Sequence, residues 1–92
     1  MPLTVRENSK LLGRVRRIRG QVEAVERALE SETGCSEVLQ LIAGARGALN
    51  GLMIEVLGDH IRTRVIDPGK EPDVGRAYAT MELIEVIGSY LK

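Results

Sequence analysis

Apolar side chains in the first third of the chain recur at steps that alternate between four and three residues. This spacing, about 3.5 residues on average, is typical of helices that pack lengthwise, so it predicts a long helix with a continuous apolar seam. The Thr-x-x-Glu pattern from Thr4 to Glu7 resembles a capping box and predicts a first helix over about residues 5–30. The seam consists of Leu11, Val15, Ile18, Val22, Val25 and Leu29.

A second apolar pattern with helical spacing predicts a helix over about residues 34–65. Its middle, residues 43–51, reads AGARGALNG and is rich in small side chains. Because glycine weakens a helix interior, we expect compensation from the close approach of a neighbouring helix backbone. The predicted core positions are Val38, Leu39, Ile42, Leu49, Leu52, Met53, Val56, Leu57 and Ile61.

Residues 67–72, with two prolines and a glycine, predict a linker between this helix and the next. Asp73 follows as a good N-cap, so a third helix is expected over about residues 73–91. No strand-like alternation occurs, and 92 residues suffice for one domain, so we predict a single all-α domain of three helices over residues 1–92. The side chains expected to face inward from the third helix are Tyr78, Met81, Ile84, Ile87 and Leu91.

The helix lengths also predict self-association. The second helix would be about 45 Å long, and the shorter third helix cannot cover its whole apolar stripe. A chain this small buries only a modest core by itself. We therefore expect two helical hairpins to form an antiparallel four-helix-bundle dimer, and the third helices to join two dimers into a tetramer.

The charges are distributed unevenly although the net charge is zero. Residues 1–19 contain six basic side chains and one acidic one, a charge of +5, and the remainder carries −5. Lys10, Arg14, Arg17 and Gln21 follow at steps of four, three and four, which places them on one helical stripe. Such a stripe predicts binding to a polyanion. The alternatives are an ordinary solvated helix face or an adaptor protein that binds an acidic protein without DNA.

Several classes of protein are not expected. No apolar stretch approaches the roughly 20 residues of a membrane span, and the first residues lack the apolar run of a secretory signal. A single cysteine permits no intrachain disulfide and fits a reducing compartment, so we expect a cytoplasmic protein without membrane association. One cysteine and one histidine, without a phosphate-binding loop or paired carboxylates, do not predict an enzyme.

Cys35 and His60 lie near opposite ends of the predicted second helix. The N-terminal position favours a thiolate at Cys35. The two residues are 25 positions apart, about 38 Å along a straight helix, so they cannot meet within one chain. An antiparallel twofold axis would instead place Cys35 of one chain beside His60 of the other. The alternatives are a buried small hydrophobic residue at 35 and a merely exposed histidine at 60.

Two chemistries are open to such a site. A soft or divalent metal, including Cu(I), could bind Cys35 and His60, but Arg64 one turn later is no ligand and the third donor is missing. Pro2 offers the other chemistry, because removal of Met1 would expose a secondary amine. That amine condenses with an aldehyde to an iminium, and a nearby thiolate can attack its carbon to form an N–CH2–S bridge. Pro2 is alternatively just a common second residue.

The motifs together resemble the CsoR/RcnR family of bacterial repressors. They are RVRRIRGQ at 14–21, Cys35, QLIA at 40–43, RGALNGLM at 46–53 and His60. The resemblance covers residues 1 to about 65 and extends more loosely over the third helix. It implies a helical dimer of dimers that binds operator DNA and releases it when an effector binds.

The branches of this family differ at a few positions. Copper and persulfide sensors have a second cysteine where this chain has Arg64, and nickel or cobalt sensors have histidines there and at the position of Leu3. The formaldehyde-responsive branch uses an N-terminal proline and a cysteine that match Pro2 and Cys35. Arg64 departs from that branch too, where the position is often acidic.

The resemblance therefore implies a formaldehyde-responsive repressor that requires no cofactor, with a metal-responsive repressor as the alternative. Pro2 and Cys35 of different chains would form the bridge, with His60 in the site and Arg64 beside it. Glu82 matches a carboxylate that supports the site in copper sensors. The DNA-binding residues implied are Lys10, Arg14 and Arg17, with Arg16, Arg19 and Arg46.

Overall fold

A computed structural model describes residues 5–91, which form three α-helices and no strand. Helix α1 comprises Val5–Glu30, α2 comprises Cys35–His60, and α3 comprises Val74–Tyr90. A π-helical turn, Ile61–Val65, extends α2. The all-α class is confirmed, and the predicted helix ends agree with the structure to within about a residue.

The described chain divides into two compact units, one within residues 5–52 and one within residues 53–91. The first unit contains α1 and the larger part of α2. Its most buried apolar side chains are those of Leu11, Ala28 and Val38, which are 8%, 7% and 9% exposed. These positions show that α1 and α2 form the predicted helical hairpin within this unit.

Alternate members of the predicted α1 seam have different environments. Leu11, Ile18 and Val25 are buried or half-buried, as expected. Val15, Val22 and Leu29 are instead 44%, 54% and 62% exposed within the chain. A 3.5-residue seam has two flanks, and the single partner helix available in one unit covers only one of them.

The end of α1 is a Schellman motif in which Glu32 occupies the left-handed position. The amide of Thr33 donates to the carbonyl of Ala28 (2.9 Å) and the amide of Glu32 donates to that of Leu29 (3.3 Å). Glu32 has φ 55°, a conformation that usually favours glycine. The chain turns here into α2.

The predicted linker and N-cap are both present in the second unit. The Asp67 side chain accepts a hydrogen bond from the amide of Gly69 at 2.9 Å. The Asp73 carboxylate accepts from the amides of Gly75 and Arg76 at 3.0 and 3.2 Å, which satisfies two donors at the start of α3.

The face that α3 buries differs from the predicted one. Thr80 is 7% exposed, and Ile84 and Ile87 are half-buried. The expectation was wrong within one chain for Tyr78, Met81 and Leu91, which are 65%, 59% and 39% exposed.

Two glycines lie where α3 contacts the end of α2. A Cβ added at Gly58 would lie 3.6 Å from Ile84 Cγ2, and one at Gly88 would lie 3.9 Å from Ile54 Cγ2, both ordinary van der Waals distances. The buried face of α3 is therefore the one that carries Ile84, and Tyr78 and Met81 lie outside this contact.

The π-helical turn at the end of α2 was not predicted. The amide of Ile66 donates to the carbonyl of Ile61, five residues earlier, at 3.0 Å. Ile61 itself is 8% exposed. Single π turns occur often at functional sites, and this one directly follows His60.

Helix α2 with its π turn corrects one expectation about membranes. Cys35–Val65, with a hydropathy of 1.3, is by length and composition long and apolar enough to cross a membrane. Apolar residues spaced along a helix, without a continuous run, produce this value. Only 6% of this apolar stretch is buried within the chain, so α2 presents a largely uncovered apolar surface.

Candidate functional site

Cys35 is the first residue of α2, and its side chain is exposed as a free thiol. The carbonyl of the preceding Gly34 accepts hydrogen bonds from the amides of Glu37 and Val38, both at 3.1 Å. Because Gly34 has no side chain, it cannot cap the first amides of the helix as a serine or aspartate would. Because the Cys35 side chain is exposed, the alternative that it is a buried hydrophobic residue is wrong for the single chain. Pro2, its proposed partner, lies outside the described residues.

His60 is the last residue of α2 and is exposed. Its neighbourhood is held by Asp59, whose carboxylate lies 2.9 Å from the Arg62 guanidinium and whose carbonyl accepts from the Thr63 hydroxyl at 2.8 Å. Arg64 lies in the π turn and is exposed. These two local contacts span His60 at the helix end.

The donors available for a metal are few within one chain. Among residues 5–91, no group of three or more His, Cys, Asp or Glu side chains comes together that could hold a metal ion. Glu82, implied as a supporting carboxylate, is exposed on α3. Cys35 and His60 alone fall short of the three or four protein ligands that most zinc sites use, so a metal would need donors from a second chain or from the N-terminal residues.

The basic residues of α1 form two groups on different sides of the helix. At about 100° per residue, Lys10, Arg14 and Arg17 fall within an arc of about 60°. Arg16 and Arg19 lie about 130° and about 170° from the centre of that arc. The implied DNA-binding residues of α1 therefore cannot all face one surface of the same helix.

Arg14 differs from the other basic residues because it contacts α2. Lys10 and Arg17 are exposed, whereas Arg14 is half-buried. A Cβ added at Gly51 of α2 would lie 2.9 Å from Arg14 Nη2. Seven residues earlier in α2, a Cβ at Gly44 would lie 3.9 Å from the side-chain nitrogen of Gln21, whose Oε1 is buried without a hydrogen-bond partner.

These contacts change the explanation for the small residues of α2. We expected a neighbouring backbone to approach them, but polar side chains of α1 lie over Gly44 and Gly51. The shared spacing of seven residues on both helices is the signal that could have indicated the pairing. Gly47, between them, has no atom within 4 Å of an added Cβ in the described chain.

Arg19 and Arg46 have simpler surroundings. Arg19 Nε lies 3.8 Å from Glu23 Oε1, and both side chains are largely exposed (71% and 54%). Such a surface pair contributes little to stability and leaves Arg19 accessible. Arg46 is exposed on α2.

An uncovered apolar stripe follows α2 and contains both candidate effector residues. Ile42, Leu49 and Met53 are 44%, 56% and 51% exposed, and they lie within about 40° of one another on the helix. Counting along α2 at the same rotation per residue, Cys35 and His60 fall within that arc. The remaining exposed apolar residues near the stripe are Leu39 and Val56.

Comparison with known proteins relates the whole chain to bacterial regulators. Residues 7–89 match the family described as "Metal-sensitive transcriptional repressor". A transcriptional repressor RcnR homolog of Escherichia coli is 38% identical over 92 residues, the full length of both proteins. An uncharacterized protein encoded in the bioA 5′ region of Serratia marcescens is 50% identical, again over the full length of both.

A solved structure extends the similarity to the fold. A variant of the formaldehyde-responsive regulator FrmR from Salmonella enterica serovar Typhimurium is 43% identical, with a TM-score of 0.69. The match covers 97% of this chain and 99% of that one.

Proposed function

This chain belongs to the CsoR/RcnR family of metal-sensitive transcriptional repressors, and from that membership we propose that it binds operator DNA and releases it on reaction with formaldehyde. The family consists of repressors and not of enzymes, which argues against the adaptor hypothesis as well. The observation that carries formaldehyde as the effector is the 43% identity with a formaldehyde-responsive regulator over nearly the whole chain.

The DNA surface is proposed to lie along the Lys10, Arg14 and Arg17 arc of α1. These three cations occupy one edge of the helix, and they belong to a segment with a charge of +5. Arginine and lysine side chains that neutralise phosphates supply most of the affinity for DNA and make it depend on salt. Arg16, Arg19 and Arg46 would contribute from other faces, and only if the assembled protein brings them to the same duplex.

The DNA-binding proposal is tested with a labelled duplex selected in vitro by the purified protein. We expect Lys10→Ala and Arg17→Ala to weaken binding and each to lower the slope of log affinity against log salt by about one. Arg16→Ala, the matched control on the opposite side of α1, should change both quantities less. Failure of the selection to enrich any duplex, or a salt-independent affinity, would contradict the proposal.

The effector site is proposed to form between two chains. An antiparallel twofold axis passing between residues 47 and 48 would pair Cys35 of one chain with His60 of the other. The same axis pairs Ile42 with Met53 and Leu39 with Val56, so the exposed stripe of α2 would cover itself. The apolar residues that this axis would pair lie near one side of α2 and are exposed in the single chain, which supports the antiparallel dimer.

The chemistry of the site would use Pro2, Cys35 and His60. The Pro2 amine and formaldehyde form an iminium with loss of one water molecule, and the Cys35 thiolate then adds to the iminium carbon. His60 accepts the Cys35 thiol proton before this addition, and that proton balances the one consumed when the iminium forms and water leaves, so the product is a neutral N–CH2–S bridge. The bridge would draw the N-terminal arm to the start of α2 and lower the affinity for DNA.

Intact-mass analysis tests this chemistry. Formaldehyde should add about 12 Da per site, and the gain should disappear in Cys35→Ala. Ser36→Ala, which changes the neighbouring residue, should retain it. Absence of the adduct, or an adduct that persists without Cys35, would overturn the proposal.

Metal sensing is the second candidate, because the family that matches residues 7–89 is described as metal-sensitive transcriptional repressors. Cys35 and His60 of different chains would supply two donors, and the Pro2 amine or water the others. We distinguish the candidates by titrating the DNA complex with formaldehyde and, separately, with nickel, cobalt, zinc and Cu(I). Release by a stoichiometric metal that requires His60, without any covalent adduct, would favour the metal.

The proposed assembly also accounts for the apolar character of α2. If a second copy covers the stripe, α2 is the core helix of a cytoplasmic bundle and not a membrane span. Exposed apolar residues on α3, including Tyr78 and Met81, remain available to join two dimers as the proposed tetramer. Crosslinking and light scattering in solution test both levels of assembly.

A further inference from the structure

Arg14 lies against α2 at a position where only glycine leaves it room. A Cβ at Gly51 would approach Arg14 Nη2 to 2.9 Å, which is closer than real Cβ atoms come to other heavy atoms. The guanidinium therefore occupies space above the α2 backbone that any other residue at 51 would take.

The contact sets Arg14 apart from the cations on either side of it. Lys10, four residues before, and Arg17, three residues after, are both exposed, whereas Arg14 is half-buried. An arginine side chain loses much rotamer freedom when it is fixed, and a guanidinium with five donors can rest on one surface and still direct other N–H groups outward.

We propose that Gly51 is a positioning residue for DNA binding, because it seats the Arg14 guanidinium against α2 and holds it ready for a phosphate. The inference rests on the proposed function, in which Arg14 contacts DNA. Pre-ordering the side chain in the free protein reduces the entropy lost on binding and thereby strengthens the complex.

The geometry predicts opposite effects of Gly51→Ala on stability and on DNA binding. The clashing atom is the far end of a flexible side chain, so Arg14 can move aside and the fold is retained. Alanine has the higher helix propensity, so the melting temperature should rise by a few degrees. The displaced guanidinium should lower the affinity for the selected duplex about three- to tenfold and reduce the salt slope by up to about one.

Gly44→Ala is the matched control. Gly44 lies on the same face of α2 seven residues earlier, and its added Cβ would make only an ordinary contact, 3.9 Å from the Gln21 side chain. It should raise the melting temperature in the same way and leave the DNA affinity unchanged.

A double-mutant cycle with Arg14→Ala decides whether the effect acts through Arg14. Gly51→Ala should weaken binding in the wild-type background and have no further effect once Arg14 is alanine. Arg14→Lys, which keeps the charge and loses the planar fork, should bind more weakly than wild type and should also be insensitive to Gly51→Ala.

The outcomes separate this inference from the proposed function. If Arg14→Ala weakens DNA binding but Gly51→Ala does not, the positioning role of Gly51 is wrong and the proposed DNA surface stands. The same conclusion follows if Gly51→Ala still weakens DNA binding in the Arg14→Ala background. Arg14→Lys binding as well as wild type would also overturn the positioning role. If Arg14→Ala leaves the affinity unchanged, the placement of Arg14 on the DNA surface fails, and the inference fails with it.

Discussion

At the scale of single residues, the described chain has one non-glycine residue with positive φ, Glu32. The left-handed conformation costs a residue with a Cβ about 1–2 kcal/mol, and here the hydrogen bonds of the Schellman motif hold it in place. The hydroxyl of Ser31 reinforces the turn by donating to the carbonyl of Arg27 at 2.6 Å. The hairpin between α1 and α2 therefore contains a local strain that can be removed.

Glu32→Gly is expected to raise the free energy of unfolding by about 0.5–1 kcal/mol, because glycine adopts this conformation without the steric cost. Urea denaturation at one fixed protein concentration measures the change. Glu30→Gly is the control, since it removes the same charge two residues earlier, at the last residue of α1, where the backbone is helical and glycine should not stabilise the protein. Equal effects of the two variants would show that charge, and not backbone conformation, is responsible.

At the scale of helices, the sequence predicted the existence and ends of the three helices better than the faces they bury. Asp73 is a local signal, because a capping side chain and the amides it accepts from are neighbours in the chain. The buried face of α3 depends on which side of α3 meets the end of α2, where Ile84 lies near Gly58 and Ile54 near Gly88, and no period in one helix reveals that contact. The π turn after His60 likewise leaves no pattern in the side chains.

Asp73→Ala should destabilise the protein by about 1 kcal/mol, because the amides of Gly75 and Arg76 lose their acceptor at the start of α3. Thermal or urea unfolding, monitored by circular dichroism, measures this change in the free energy of unfolding. Asp73→Asn, which keeps an accepting oxygen, should stay close to wild type. A large loss in Asp73→Asn would mean that the charge and not the hydrogen bonds stabilises the helix.

At the scale of the whole molecule, the described residues of a single chain leave many large apolar side chains uncovered. No side chain among the described residues is less than 2% exposed. Leu49, Met53 and Met81 are instead 56%, 51% and 59% exposed, and such uncovered apolar side chains support the proposed dimer.

The register of that dimer can be tested by exchanging charges across it. Met53→Glu or Ile42→Lys alone should shift the protein toward monomers in light scattering, because each places a charge in the apolar stripe. The double variant should recover the dimer, since the proposed axis faces residue 42 of one chain with residue 53 of the other. Val74→Glu, at an exposed position (80%) in the first turn of α3, should leave the dimer intact.

Recovery of the dimer in the double variant requires antiparallel pairing about residues 47 and 48. If the double variant is no more associated than the worse single variant, the register is wrong, and the pairing of Cys35 with His60 loses its support. Size alone does not decide the question, because a parallel dimer would have the same mass.

The candidate site was predictable from sequence only in its parts. Cys35 and His60 were recognisable by residue type and by their positions at the ends of one helix, and the exposed stripe between them agrees with that interpretation. The seating of Arg14 on Gly51 was not predictable, because it depends on which side of α1 faces α2. The motif RGALNGLM contains the glycine, but nothing in one helix alone shows what lies above it.

The absence of fully buried side chains in the described part of one chain has a consequence for the life of the protein in a cell. If the proposed dimer forms, a newly made chain would remain open to proteases until it meets another copy, so its half-life should lengthen as its concentration rises. A gene expressed at a low level would then yield even less repressor than its transcript predicts. The supply of this protein would be regulated first by encounter between copies, before any signal molecule reaches Cys35.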